Sequence, residues 1–248
     1  MSNIFITGAT SGIGRATAML FASNGWNVVA TGRRAERLDE LRAHFPDRIL
    51  TLPLDVRDAD AVLRITEALP DDYAGIDVLL NNAGLAQGVN PVQNSDPDDW
   101  MRMIDTNIKG VLNVTRAILP GMVAANHGHV INIGSVAADN PYHGGNVYGA
   151  TKAFIKQLTR NLRCDLHGTK VRVTDVAPGL LETEFTTVRL HGDQAASDRF
   201  YAGTEPLKPE DIAATIWFVA TLPEHVNVNR IDIMPTCQHY GPALVYKE

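Results

Sequence analysis

Tyr148 and Lys152 stand four residues apart in Val147-Tyr148-Gly149-Ala150-Thr151-Lys152, downstream of Ser135. On a helix, positions i and i+4 share a face, so this spacing sets the lysine ammonium beside the phenol. A free tyrosine titrates near ~10, too high for proton transfer at neutral pH. A cation roughly 6 Å away, at an effective dielectric near ~20, favours the phenolate by about 3 kcal/mol, or about 2 pKa units. The pair therefore predicts a tyrosine serving as general acid-base, with the Ser135 hydroxyl holding a carbonyl oxygen. Y-x-x-x-K recurs by chance in many chains, so its weight comes from its surroundings.

Short apolar runs at residues 4–6, 28–30, 49–54, 78–80, 130–133, 171–176 and 231–233 read as buried strands. Amphipathic stretches at 13–24, 34–44, 59–69, 100–125, 147–166 and 209–222 read as helices, the last opened by Pro209 with Glu210 and Asp211 behind it. This alternation predicts an α/β fold: a doubly wound, parallel, seven-stranded sheet with helices on both faces. No repeat, low-complexity tract or linker interrupts it, which predicts one domain over residues 1–248. Residues 180–208 carry little periodicity and are placed to form a substrate-covering loop, and 236–248 form a tail.

The net charge of −6 argues against a nucleic-acid partner, whose binding surface is basic and clustered. No apolar run approaches the ~18 residues of a membrane span. Met1-Ser2-Asn3 leads into Ile4 without the basic and apolar regions of a secretory signal. Two cysteines make no disulfide framework, and a cytoplasmic location is expected. His127 and His129 flank Gly128 and are too few for a metal site, so no metal is expected and both read as turn polars. Cys164 reads as packed against a helix, and Trp26, Trp100 and Trp217 as core or interface aromatics. Tyr142 and His143 lie between Ser135 and Tyr148 and are expected to border the substrate mouth.

The first strand runs into Thr7-Gly8-Ala9-Thr10-Ser11-Gly12-Ile13-Gly14 and then a helix. Glycines there permit a tight turn and close backbone approach, and the helix start offers free N–H groups to a pyrophosphate. The second strand ends in Gly32-Arg33-Arg34, where an acid would take the ribose diol of NAD and arginine suits a 2′-phosphate. NADP(H) is therefore the expected cofactor, with Arg33 the favoured partner and Arg34 more in keeping with a solvated helix start. Asp55-Val56 follows the third strand, where a carboxylate can accept from an adenine amino group. Asn81-Asn82-Ala83-Gly84 follows the fourth, where the Asn82 amide either braces strands or lines the cofactor crevice.

Taken in order, Thr7–Gly14, Asn81-Asn82-Ala83-Gly84, Asn107, Ser135, Tyr148, Lys152 and Pro178-Gly179 resemble the classical short-chain dehydrogenase/reductase family over nearly the whole chain. The resemblance implies a Rossmann fold with the cofactor at the carboxyl ends of the strands. It implies Tyr148 as general acid-base, Ser135 as partner of the substrate oxygen, and Lys152 on the nicotinamide ribose. Asn107 would organise a proton-relaying water chain, and Pro178 and Gly179 would border the cofactor. The later segments, Asn161–Leu166, Pro178–Phe185, Val188-Arg189 and Ile233–Gln238, resemble the NADP-dependent 3-hydroxy acid dehydrogenase and sulfoacetaldehyde reductase branches. Both imply a small anion beside the reacting carbonyl, for which Arg189 is the candidate partner. The family also implies a homotetramer, and Gln238 is a candidate to complete a neighbour's pocket. Two other activities fit the same residues less well. A general carbonyl or 3-ketoacyl-carrier reductase would call for a basic patch that is not evident. A non-catalytic NADP-binding regulator would have no use for the acid-base residues.

Overall fold

The computed structural model describes residues 2–241. Seven strands, β1 Asn3–Ile6, β2 Asn27–Gly32, β3 Ile49–Pro53, β4 Val78–Asn81, β5 Gly128–Ile133, β6 Val171–Pro178 and β7 Arg230–Ile233, form one sheet in the order β3-β2-β1-β4-β5-β6-β7. Every pairing is parallel. The helices are α1 Gly12–Ser23, α2 Ala35–His44, α3 Ala59–Glu67, α4 Pro97–Ile104, α5 Gly110–Ala125, α6 Asn146–Asp165, α7 Glu184–Arg189, α8 Gln194–Tyr201 and α9 Pro209–Ala220.

Alternate strand residues go to opposite faces, and the two cores follow. Ile4, Ile6, Val28, Ala30 and Ile131 face α1 and α9, with Phe21 and Ile216 among their partners. Phe5, Val29, Leu79, Val130 and Val173 face the other way, onto Val62 of α3 and Val114 and Ile118 of α5. Phe21 packs edge-on against Trp26 and Trp217, each with ring centroids 5.0 Å away. The strands are apolar on both sides because both sides are covered. Strand order reverses between β1 and β4, and the carboxyl ends there open a crevice, the place where such sheets bind ligands.

Several features differ from the sequence expectation. The stretch expected as one helix from Trp100 begins at Pro97, with the Asp96 carboxylate accepting from Asp98 N–H at 2.9 Å. One π-helical turn, Asp105–Lys109, then joins α4 to α5. The segment 180–208 holds two short helices, α7 and α8, each capped by the preceding residue, Thr183 and Asp193. His129 is no turn residue: β5 already begins at Gly128, and the ring is buried with one nitrogen 2.7 Å from Thr174 Oγ1. Cys164 is exposed rather than packed. Of the tail, 236–241 lie within the described residues and 242–248 outside them.

Candidate active site

The crevice is lined from one end by the loop between β1 and α1, and from the other by Ser135, Tyr148 and Lys152. At the first end the space is made by missing side chains. Gly8 and Gly12 adopt φ of 70° and 51°, which side-chain-bearing residues resist. A Cβ on Gly14 would stand 2.4 Å from Gly8 O. Ser11 precedes α1 without a side-chain cap bond, so the first-turn N–H groups remain directed at the crevice. Asn82 braces the loop, donating through Nδ2 to Thr7 O at 2.8 Å and Gly8 O at 3.0 Å. Thr7 Oγ1 accepts from Asn82 N–H and Ala83 N–H. Val56 packs against Gly110, where a Cβ would come within 2.5 Å of its Cγ2. Thr10, Ile13, Ala83, Gly84, Pro178 and Gly179 complete the lining around these groups.

Of the two arginines, Arg34 departs from its expected part. Arg33 is exposed at the crevice edge. Arg34 is not a solvated helix start: it donates to Thr10 Oγ1, to Ser11 Oγ and, through Nη1 at 2.8 Å, to Glu184 Oε2. Arg37 bonds the other oxygen of Glu184. Glu184 begins α7, so this ion-pair cluster ties the covering segment to the glycine loop. Sequence gave no sign of it, because the partners are 150 residues apart. Asp55 also differs. Both its oxygens accept from Arg57, whose hydrogen bonds hold the carboxyl below the usual range, so its side chain is already engaged.

At the other end the site is built from buried polar groups. Ser135, just past β5, is extended, accepts from Ala137 N–H at 3.1 Å and donates to Pro178 O at 3.4 Å. Lys152 is buried, and its Nζ donates to Ile133 O at 2.8 Å and lies 5.8 Å from the centre of the Tyr148 ring. The lysine is thus beside the phenol as the spacing predicts, but the electrostatic outcome is reversed. Burial pushes the Tyr148 hydroxyl above its ordinary value and the Tyr142 ring adds to this, while Ser135 and Arg189 act the other way. Burial also draws Lys152 down to about 8, with Asp175 opposing it. Desolvation disfavours the charged form of both groups and outweighs Ser135 and Arg189 at the phenol and Asp175 at the lysine.

Asn107 sits in the π turn. Its Nδ2 donates to Leu85 O at 2.8 Å and Thr151 Oγ1 at 3.1 Å, and its Oδ1 accepts from Leu85 N–H at 2.9 Å. Both amide donors are therefore used inside the protein. Arg189, at the end of α7, donates to Gly88 O at 3.3 Å and Gly144 O at 3.1 Å. Its guanidinium carbon lies 5.1 Å from the Tyr142 ring centre and 6.0 Å from that of Tyr148. Just beyond, His191 Nε2 is 3.2 Å from buried Asp99 of α4. Phe185 packs edge-on to Tyr148 at 5.5 Å, and neither it nor Glu184 stood out in the sequence. His143 is exposed beside Tyr142. Gln238, expected to reach a neighbour, is turned into its own chain, its Oε1 accepting from Leu180 N–H at 2.6 Å over Gly179. Among the described residues no group of three or more His, Cys, Asp or Glu side chains converges as metal ligands would.

A profile of the short chain dehydrogenase family matches residues 2–193. The chain belongs to the short-chain dehydrogenase family. This short-chain dehydrogenase is 54% identical to sulfoacetaldehyde reductase 2 of Chromohalobacter salexigens, over 99% of the chain and 98% of that protein. It is 50% identical to the NADP-dependent 3-hydroxy acid dehydrogenase YdfG of Escherichia coli K12, over 99% of each. Among solved structures it superposes on the closed form of serine dehydrogenase complexed with NADP+ with a TM-score of 0.95, at 50% identity and 99% coverage of both chains.

Proposed function

We propose that the protein is an NADP(H)-dependent oxidoreductase that interconverts a short anionic aldehyde or ketone and its hydroxy acid. The observation that carries this reading is the Arg189 guanidinium standing 6.0 Å above the Tyr148 ring. Carbonyl oxygens orient it, and among the described residues no carboxylate pairs with it. A cation so placed, beside an acid-base hydroxyl, suits a substrate whose carboxylate or sulfonate neighbours the reacting carbon. The similarity to a sulfoacetaldehyde reductase and a 3-hydroxy acid dehydrogenase supports the same substrate class.

The crevice fits a dinucleotide phosphate. Its glycine cradle would be filled by any Cβ at Gly14, the α1 start presents N–H groups, and Arg33 stands free at the end of β2 for a 2′-phosphate. NADP(H), when bound, supplies or accepts the hydride. Ser135 holds the substrate oxygen, and Tyr148 gives it a proton in reduction or takes one in oxidation. Lys152 would hold the nicotinamide ribose, and its charge would stabilise the phenolate left after proton transfer. Since the Asn107 amide is committed to Leu85 and Thr151, its part in a proton relay falls to its main chain. Phe185 and the rest of α7 keep water from the phenol. A homotetramer is what the family resemblance implies, exposed Met101, Leu112, Phe154 and Phe218 offer apolar surface for association, and two unpaired cysteines fit the cytoplasm.

The test is NADPH consumption with sulfoacetaldehyde, malonic semialdehyde, acetaldehyde and an acetoacetyl thioester, for wild type and Arg189→Met. Turnover confined to the anionic aldehydes, with KM raised about tenfold or more by the substitution, is expected for loss of a charge-assisted pair. Equal use of neutral and anionic carbonyls, or an equal effect of the substitution on both, would sink it.

A further inference from the structure

Asp175 is a buried carboxylate that the chemistry above does not use. It lies in β6, paired with Asn132 of β5 and Arg230 of β7. Neither of its oxygens accepts a hydrogen bond from the described residues. Buried ionisable groups usually find such partners, and one that does not costs stability and calls for an explanation.

Its position supplies one. A Cβ on Gly134 would stand 2.0 Å from Asp175 Oδ1, so the carboxylate fills the place of a side chain at residue 134. Gly134 separates Ile133, whose carbonyl receives the Lys152 ammonium, from Ser135. The carboxylate thus lies against the short segment that orients both groups. The charges facing it come from two elements and a turn. Arg230 and Asp232 belong to β7, Lys152 and Lys156 to α6, and Asp139 to the turn after β5. Arg230 approaches Asp175 only to 3.5 Å, because its shorter contacts, both 2.7 Å, go to Asp139 and Asp232. Lys156 is bonded to Asp139. Arg230 is the stronger counter-charge to Asp175, and Lys152 is the buried active-site cation that the Asp175 charge also supports.

We propose that Asp175 is a positioning residue that acts through Lys152, its carboxylate holding the lysine in the ammonium form beneath the cofactor ribose. This rests on the part given to Lys152 above. Burial lifts Asp175 to about 6 and depresses Lys152 to about 8, while each charge favours the charged form of the other. Between those values both are ionised and the pair is formed. Above the upper one the lysine loses its proton, and below the lower one Asp175 is neutral.

The test is Asp175→Asn, which keeps the shape, read by fluorescence titration of NADPH binding across pH and by pH–rate profiles. In wild type, affinity should hold until pH approaches about 8. In the variant the weakening should begin about one unit lower, the size of an ordinary effect of a nearby charge. The two curves should coincide below about pH 6, where Asp175 carries its proton. Superimposed curves overturn the proposal, and so does a uniform loss of affinity at every pH, which would mark a merely structural part. If the Asn variant does not fold, Asp175→Ser, too small to crowd Gly134, is read in the same way. Lys152→Met separates the two claims. If it turns over like wild type, the part given to Lys152 is wrong. If it is inactive while Asp175→Asn tracks wild type at all pH values, only the inference about Asp175 falls.

Discussion

The two ends of the crevice are built on opposite physical plans. Around Gly8, Gly12 and Gly14 the site is made by leaving side chains out, and what remains is backbone N–H aimed at an anion. Around Ser135, Tyr148, Lys152 and Asp175 it is made by packing polar side chains together, with Ser135, Lys152 and Asp175 buried and Tyr148 half-buried at the crevice wall. The first plan stores little electrostatic cost, because peptide dipoles are neutral and already oriented. The second stores a good deal, seen in the opposing shifts of Tyr148 and Lys152 away from their charged forms. One end recognises by shape, and the other is poised by desolvation. Segment 180–208 crosses from one to the other, fastened to the glycine loop through Glu184 and to the catalytic end through Phe185 and Arg189.

Substitutions at each end should fail differently. The largest effect belongs to Tyr148→Phe, which removes one oxygen: turnover should fall by about 10²–10⁴, the usual worth of a general acid-base group. NADPH affinity, measured by fluorescence titration, should stay within about twofold. A comparable loss of both would erase the division between the ends. Arg33→Ser should lower kcat/KM with NADPH by about tenfold to a hundredfold, the worth of a charged hydrogen bond of ~1.5–3 kcal/mol. With NADH it should change little; equal losses with both cofactors would take the 2′-phosphate away from Arg33. Gly14→Ala should be smallest in energy, about 1–3 kcal/mol of overpacking against Gly8 O. It should appear as a lower Tm and weaker NADPH binding, and an unchanged melt would mean that the loop yields freely.

The glycine end was legible in the sequence because omission leaves a local mark: glycines between a strand and a helix, with arginines one strand later. All seven strands were legible too, as apolar runs covered on both faces, with ends such as Gly32 and Pro178 a residue or two further on. What escaped was non-local or short. Arg34 and Glu184 meet across 150 residues. The six residues of α7 are too few to show a period. The Pro97 start carries the same signal as Pro209, with acids in the first turn, but the apolar periodicity begins only at Trp100. The spacing of Tyr148 and Lys152 fixed their adjacency. It said nothing of the depth at which they sit, and depth decided the sign of the shift.

The π turn at Asp105–Lys109 sets a rotational phase. Asp99, Met103, Asn107 and Val111 are all buried although each is four residues from the next. A regular helix would carry each step about 40° further round its axis, about 120° over three steps, enough to swing a side chain from sheet to solvent. The wider turn absorbs that drift. Tightening it to ordinary winding with every residue in place would rotate α4 by about 100° against α5. Asp99 would then leave His191, which it now meets at 3.2 Å. A single-codon deletion in the turn would instead remove the extra residue and leave Asp99 and Val111 on one face, about 20° apart in phase.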